Sequence, residues 1–381
     1  MVIGKLGRAG AEGQLVALAS GLARRGDEVT LADLTQGDHD VDPLLDAGVR
    51  LLRFDTPAGV RRAAVLPSLV RVARRHDVVH CTMWDASLWG RIAAVAARRP
   101  VVVSDHSADR GHQRSHTGAP RERVIGLHNR LLEPATYATV VCAKAQVPLL
   151  ESEGVRRLVY IPNGVSLEAL AGTGEPGASL EQLGIPDGAR TIIHVARFHS
   201  LKNQRLTLET TARLREELGE VHVIFVGDGE ERAGLEAQAS TIGAHWAHFL
   251  GHRTDVAALL RLSDLAVLPS LSEAMPMAIV EAMALGVPVV ATAVGDVRET
   301  LDSTGGGLHV PAGDDDAFFD ACRRVLVDDE LRRGLARRAA DSAQDFTVEA
   351  MVEQYSALFE GAVEAAGALR SVGMLDASRD R

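Results

Sequence analysis

The chain has 381 residues, 46% hydrophobic and 24% charged, which is enough for two domains with sizeable cores and argues against a disordered or membrane-spanning class. Its 41 basic and 51 acidic side chains give a net charge of −10, and aromatics are only 4%, so the basic surface interleaved with aromatic rings that single-stranded nucleic acid needs is missing. The charge is unevenly spread: residues 1–165 hold 22 Lys and Arg against 17 Asp and Glu, and the remainder 19 against 34.

In chain order, residues 1–4 leave little β-structure before a glycine loop, as if native residues were missing ahead of them. Lys5, Arg8 and Glu12 interrupt any signal-peptide core, and Cys81, Cys142 and Cys322 are scattered without metal-ligand spacing, so a cytoplasmic protein is expected. Continuous apolar runs at 28–32, 78–81, 100–103 and 139–142, and again at 191–195, 221–226 and 265–268, suit parallel strands covered on both faces. Arg61, Arg62, Arg71, Arg74 and Arg75 crowd a helix-rich segment that also holds Val65, Leu66, Leu69, Val70 and Val72, with Pro67 in its middle. It reads as an amphipathic cover for the core with a solvated arginine face, a face that would also allow weak peripheral contact with an anionic membrane. Residues 171–188, rich in Gly and Pro, read as a linker, 317–343 as helical, 348–366 as a final helix and 371–381 as a loose tail. The expected domains are 1–168, 169–347 and a 348–381 extension.

Two segments carry chemistry. Residues 270–288, S-L-S-E-A-M-P-M-A-I-V-E-A-M-A-L-G-V-P, read as a turn after the strand at 265–269 and a helix over 277–285 ended by Gly286. They set Glu273 before the first helical turn and Glu281 inside the helix. A carboxylate in so apolar a helix needs a partner, which paired sugar hydroxyls would supply, and the helix N-terminus offers free N–H groups to a diphosphate. An isolated pair of this spacing is more readily read as a glutamate on a wet helix face. Residues 192–203, I-I-H-V-A-R-F-H-S-L-K-N, carry Arg197 and Lys202 at the mouth of a strand, where cations neutralise a diphosphate. Lys202 is one of only three lysines in an otherwise arginine-based chain.

Other patterns are weaker. G-K-L-G-R-A-G at 4–10 has the wrong glycine spacing for a dinucleotide fingerprint. His106, His112 and His116 lack the carboxylates or cysteines of a metal site, so no bound metal is expected. Ser104, Asp105 and His106 are adjacent, and adjacency is not a triad. Cys142 ends an apolar run and reads as core.

Taken in order, R-A-G-A-E (8–12), S-D-H-S (104–107), I-P-N-G-V (161–165), V-A-R-F-H-S-L-K-N, V-G-D-G (226–229), F-L-G-H (249–252) and the double-glutamate segment resemble the GT-B glycosyltransferases of family 4, over nearly the whole length. The resemblance implies an α/β fold of two Rossmann-like domains facing across an interdomain cleft, with the acceptor in the first and the nucleoside-diphosphate sugar in the second. It implies a retaining transfer of a hexose-type sugar from a UDP-sugar to a hydroxyl of a small-molecule, glycan or lipid-linked acceptor. No cofactor is implied, since the nucleotide sugar is a substrate. By the same resemblance Arg197 and Lys202 hold the diphosphate, Glu281 the ribose, and Glu273 faces the donor sugar. Backbone amides of Ala274, Met275, Pro276 and Met277 lie against sugar hydroxyls, Gly251 and His252 against the base, and Gly10 near the phosphate. His106 is the active-site histidine, and with Glu273 forms the expected catalytic pair. Two departures stand out: Ala9 where the family often has a second glycine, and Ala274-Met275-Pro276-Met277 in place of aromatic-Gly-Leu-Pro. A donor-binding pseudoglycosyltransferase and a nucleotide-sugar epimerase are the alternatives.

Overall fold

The apolar runs become parallel strands in both halves of the chain. The structure, a computed structural model, describes residues 1–7, 10–37, 39–56, 60–106, 130–172 and 179–371. It separates into two units, Met1–Gly164 joined by the segment from Val348, and Val165–Thr347.

In the first unit, β1 (Val2–Ile3), β2 (Thr30–Asp33), β3 (Arg50–Arg53), β4 (Val79–Thr82), β5 (Val101–Asp105), β6 (Thr136–Val141) and β7 (Leu158–Tyr160) form a parallel sheet ordered β3-β2-β1-β4-β5-β6-β7. In the second, β8 (Arg190–Val195), β9 (Val221–Val226), β10 (Ala247–Phe249), β11 (Leu265–Leu268), β12 (Val289–Thr292) and β13 (Gly307–Val310) are ordered β10-β9-β8-β11-β12-β13, again parallel. Both are doubly wound: the chain builds outward from the middle strand, then returns to build the other way. The reversal leaves a crevice at the carboxyl ends of the two central strands, β1/β4 in one unit and β8/β11 in the other.

Burial explains which strands were readable. All six residues of β9, V-H-V-I-F-V, are buried, whereas edge strand β3, R-L-L-R, is exposed at both ends and carries no continuous apolar run. The helix Gly10–Arg24 packs its Leu15, Val16 and Leu18 face into a cluster that includes Met351, Val352, Tyr355 and Phe359 of the final helix, Val348–Ser371, which makes that helix part of the first unit.

Several expectations change. The segment read as a linker over 171–188 lies wholly on the second unit's side, since the units divide at Gly164/Val165, and Ile185 at 2% exposure is part of that unit's core with Leu180 and Leu183 packed on it. Gly184, Pro186 and Gly188 serve turns there, and residues 173–178 lie outside the described residues. The helical stretch at 317–343 is two helices, Asp315–Val327 and Asp329–Ser342, broken at Asp328, whose carboxylate accepts from Leu331 N at 2.9 Å and caps the second. Pro67 stands in the first turn of the helix Leu66–Ala73, where a missing N–H is harmless, not in a helix middle. That helix buries Leu69 and Ala73 and leaves Arg71 exposed. Arg8, Ala9, the side chains of Arg61 and Arg62, His112, His116 and the tail beyond residue 371 lie outside the described residues. Among those described, no helix is long and apolar enough to cross a membrane.

Candidate active site

At the second unit's switch point, the loops that follow β8 and β11 are tied together. Leu271 N donates to the Leu201 carbonyl at 2.8 Å. A short 3-10 turn, Ser200–Lys202, is capped by the His199 ring, which accepts from Leu201 N at 3.1 Å, and closed by Asn203 at φ +51°. This turn aims Lys202 across the crevice, where its Nζ donates to Glu273 Oε1 at 2.6 Å. Ser270 Oγ donates to the same carboxylate oxygen at 2.7 Å, and the Ser270 carbonyl accepts from Thr292 Oγ1. Gly295, at φ +56°, lies so close to the Glu273 and Ala274 carbonyl oxygens that a Cβ there would strike them, and Asp296 N donates to Ala274 O at 3.0 Å. Glu273 is thus fixed by strand, loop and following turn, with 6% of its side chain exposed against 27% for Lys202.

Three residues after Glu273, Pro276 in an extended conformation leads into the helix Met277–Ala284. The first amides of that helix have no intrahelical acceptor and are free to meet an anion. Met275 is buried in an apolar cluster with Val165 and Val280, so the substitution at this motif alters core packing, and what the segment offers a ligand is main chain. The carboxylate of Glu281, in the second helical turn, has no hydrogen-bond or ion-pair partner among the described residues, and burial pushes its pKa above the ordinary range. A half-buried carboxylate without a protein partner has its hydrogen-bonding capacity reserved for something else.

Arg197 stands two residues past the end of β8 and is held differently. Its Nη2 donates to Glu230 Oε2 at 2.9 Å, and His199 Nε2 is 3.6 Å from the other Glu230 oxygen. The backbone imposes this neighbourhood: Phe198 N donates to Asp228 O at 3.0 Å, and Gly229, at φ +156°, lies against the Phe198 carbonyl with no room for a Cβ. Beside it, Gly251 accepts from Gly227 N at 2.8 Å, and His252 is exposed. Beneath the loop, His194 bonds Thr207 Oγ1 at 2.9 Å and is pushed down to about 3, first by burial and then by Lys202, so it adds no charge to the site.

In the first unit, Gly10 opens the helix Gly10–Arg24, and a Cβ there would meet open space. His106 follows β5 with its Nδ1 cut off from solvent and without a hydrogen-bond partner among the described residues. Burial lowers its pKa, against the opposing pull of Asp105. Ser104 is committed elsewhere: its Oγ is 2.6 Å from His80 Nε2 and 2.8 Å from Tyr355 Oη, so the Ser-Asp-His run is no triad. Cys142 is core, as expected. A cavity of about 580 Å³ lined by Met1, Val29, Val79 and Phe359 lies at the amino ends of β1, β2 and β4, the end of a doubly wound sheet away from its ligand crevice.

The residues joined at the second unit's crevice were mostly named from sequence. Glu230, Ser270 and Gly295 were not. Ser270 stands three residues before Glu273, a visible spacing, whereas Glu230 and Gly295 become neighbours of the site only through the sheet.

Two doubly wound units with cations and a fixed carboxylate at the crevice define a glycosyltransferase of the GT-B fold. Residues 8–169 match the profile described as Glycosyltransferase Family 4, and residues 178–342 that of Glycosyl transferases group 1. The D-inositol 3-phosphate glycosyltransferase of Geodermatophilus obscurus is 31% identical over 305 residues, 75% of this chain and 67% of its own. The phosphatidyl-myo-inositol mannosyltransferase of Mycobacterium leprae is 25% identical over 92% of both. HepE of Anabaena, solved in complex with UDP, shares the fold at a TM-score of 0.81 and 22% identity, over 94% of this chain and 99% of that one. The chain belongs to the family 4 glycosyltransferases, and it is a transferase.

Proposed function

We propose that the protein transfers a hexose-type sugar, with retention, from a nucleoside-diphosphate sugar to a hydroxyl of a small-molecule, glycan or lipid-linked acceptor. The observation that carries this is the Lys202–Glu273 pair, held at 2.6 Å where a doubly wound sheet binds its ligand. In the proposed mechanism Arg197, Lys202 and the amino end of the helix Met277–Ala284 stabilise charge growing on the leaving diphosphate. Glu281 accepts from the ribose hydroxyls, which answers its lack of a protein partner. Gly251 and His252 border the base, and Gly10 brings its helix end to phosphate. Ala274 to Met277 meet the sugar through main chain. Glu273 and His106 orient the transferred sugar, and the donor phosphate takes the acceptor proton, so no enzymic nucleophile is assigned.

UDP is proposed as the nucleotide, supported by the UDP bound to the fold relative HepE. Inositol-type acceptors come first for screening, because two relatives carry inositol in their names. Metal-independent transfer is proposed because Arg197, Lys202 and a helix end would face the diphosphate; full activity in excess EDTA is expected, and its abolition would contradict this. A cytoplasmic location is proposed, with weak contact between exposed Arg71, Arg74 and Arg75 and anionic lipid, which co-sedimentation with phosphatidylglycerol vesicles tests. The deciding experiment incubates the protein with UDP-hexoses, with and without myo-inositol 3-phosphate or other cyclitols, and follows UDP release and the anomeric proton of the product. An α-glycoside from an α-linked donor supports the proposal. An isomerised UDP-sugar without acceptor, or UDP binding without turnover across the screen, points to an epimerase or a pseudoglycosyltransferase.

A further inference from the structure

We infer that Glu230 is a built-in competitor for the donor diphosphate, a carboxylate that occupies Arg197 until the nucleotide displaces it. The inference rests on the proposed diphosphate role of Arg197. Three features carry it. The pairing is direct: Arg197 Nη2 is 2.9 Å from one Glu230 oxygen, and His199 Nε2 is 3.6 Å from the other. The position is set by main chain, since Phe198 N bonds Asp228 O, Glu231 N bonds Phe198 O, and Gly229 packs on the Phe198 carbonyl with no room for a Cβ, so the backbone holds the base of Glu230 beside Arg197. The carboxylate is also not needed to hold the loop, whose Arg197 carbonyl is bonded by Gln204 Nε2 at 2.8 Å.

The contrast with Glu273 sharpens the point. Glu273 is buried and bonded by Ser270 as well as Lys202, whereas Glu230 is half exposed and its nearest side-chain partner, Arg197, is the group that an arriving diphosphate would use. Its carboxyl is held below the usual range, chiefly by its own backbone N–H and further by Arg197, so it stays charged throughout the neutral range and only a competing anion releases the arginine.

The test is calorimetric titration of UDP and of uridine into wild type, Glu230→Gln, Arg197→Ala and the double variant. Glu230→Gln is expected to tighten UDP about two- to fivefold, to leave uridine unchanged, and to have no effect in the Arg197→Ala background. Raising salt should narrow the difference between wild type and Glu230→Gln. Equal or weaker UDP binding by Glu230→Gln, with wild type binding UDP normally, overturns the inference and leaves the donor site standing. A parallel change for uridine also overturns it, because it marks a loop defect. Failure of folded wild type to bind UDP overturns the UDP assignment and this inference together.

Discussion

One loop of the second unit carries two cation–carboxylate pairs that differ in almost everything but chemistry. Lys202–Glu273 is short, with 27% and 6% of the side chains exposed, and a serine shares the acceptor; Arg197–Glu230 has 69% and 50% exposed and lies at the surface. Burial makes the first a fixed part of the fold, because removing either partner strands a charge in low dielectric. Solvent makes the second exchangeable, since an exposed pair contributes little and is screened by salt. The same loop therefore offers one cation locked to a buried carboxylate and one whose exposed partner a competing anion can displace.

The comparison is easiest to break at the buried pair. Lys202→Ala is expected to lower transfer about 1000-fold and to destabilise the protein by about 2–3 kcal/mol, read from turnover and from chemical denaturation. Unchanged stability would show that Glu273 is better solvated than its 6% exposure implies. His106→Ala should lower kcat about 100-fold while leaving UDP affinity unchanged in a titration; an equal loss of UDP affinity would reassign the residue to nucleotide binding. Glu281→Ala should weaken UDP about tenfold, with equal affinity removing the ribose role.

A pH experiment extends the same logic to Glu281. Its folded pKa is raised by burial, so between the unfolded value of 4.5 and the higher folded value the native state binds more protons than the unfolded one, and stability falls as pH rises through that window. Ligand-free Glu281→Gln should therefore be more stable than wild type at pH 7 to about 8, with the difference closing below the unfolded pKa. The smallest effect is expected at the exposed pair: Arg197→Ala should leave the unfolding midpoint unchanged while weakening UDP, and a lowered midpoint would contradict its description as exchangeable.

Much of this site was legible in the sequence because its parts are local. β8 and β11 announce themselves as buried apolar runs, and Arg197, Lys202, Glu273 and Glu281 stand within a few residues of a strand end or a helix start. Edge strands β3, β7 and β10 escaped because half-exposed strands of three or four residues carry too little periodicity to separate from loop. The partners of the site residues escaped for another reason. Glu230 is 33 residues from Arg197, Gly295 is 22 from Glu273, and Tyr355 is 251 from Ser104, and each pair forms only when the sheet or the final helix closes. A motif shows which side chain acts; it does not show what the side chain holds before the ligand arrives.

The central claim is that the β8/β11 crevice binds a nucleoside diphosphate, and thermal unfolding of wild type, Lys202→Ala and Glu281→Ala with UDP, GDP, ADP and NAD tests it most directly. Near 100 times the dissociation constant, a bound nucleotide should stabilise the wild type by about 2.7 kcal/mol. The account predicts a raised midpoint with one nucleoside diphosphate, UDP first, and a smaller rise in both variants. A well-folded wild type that responds to none of the diphosphates, or only to NAD, would contradict it.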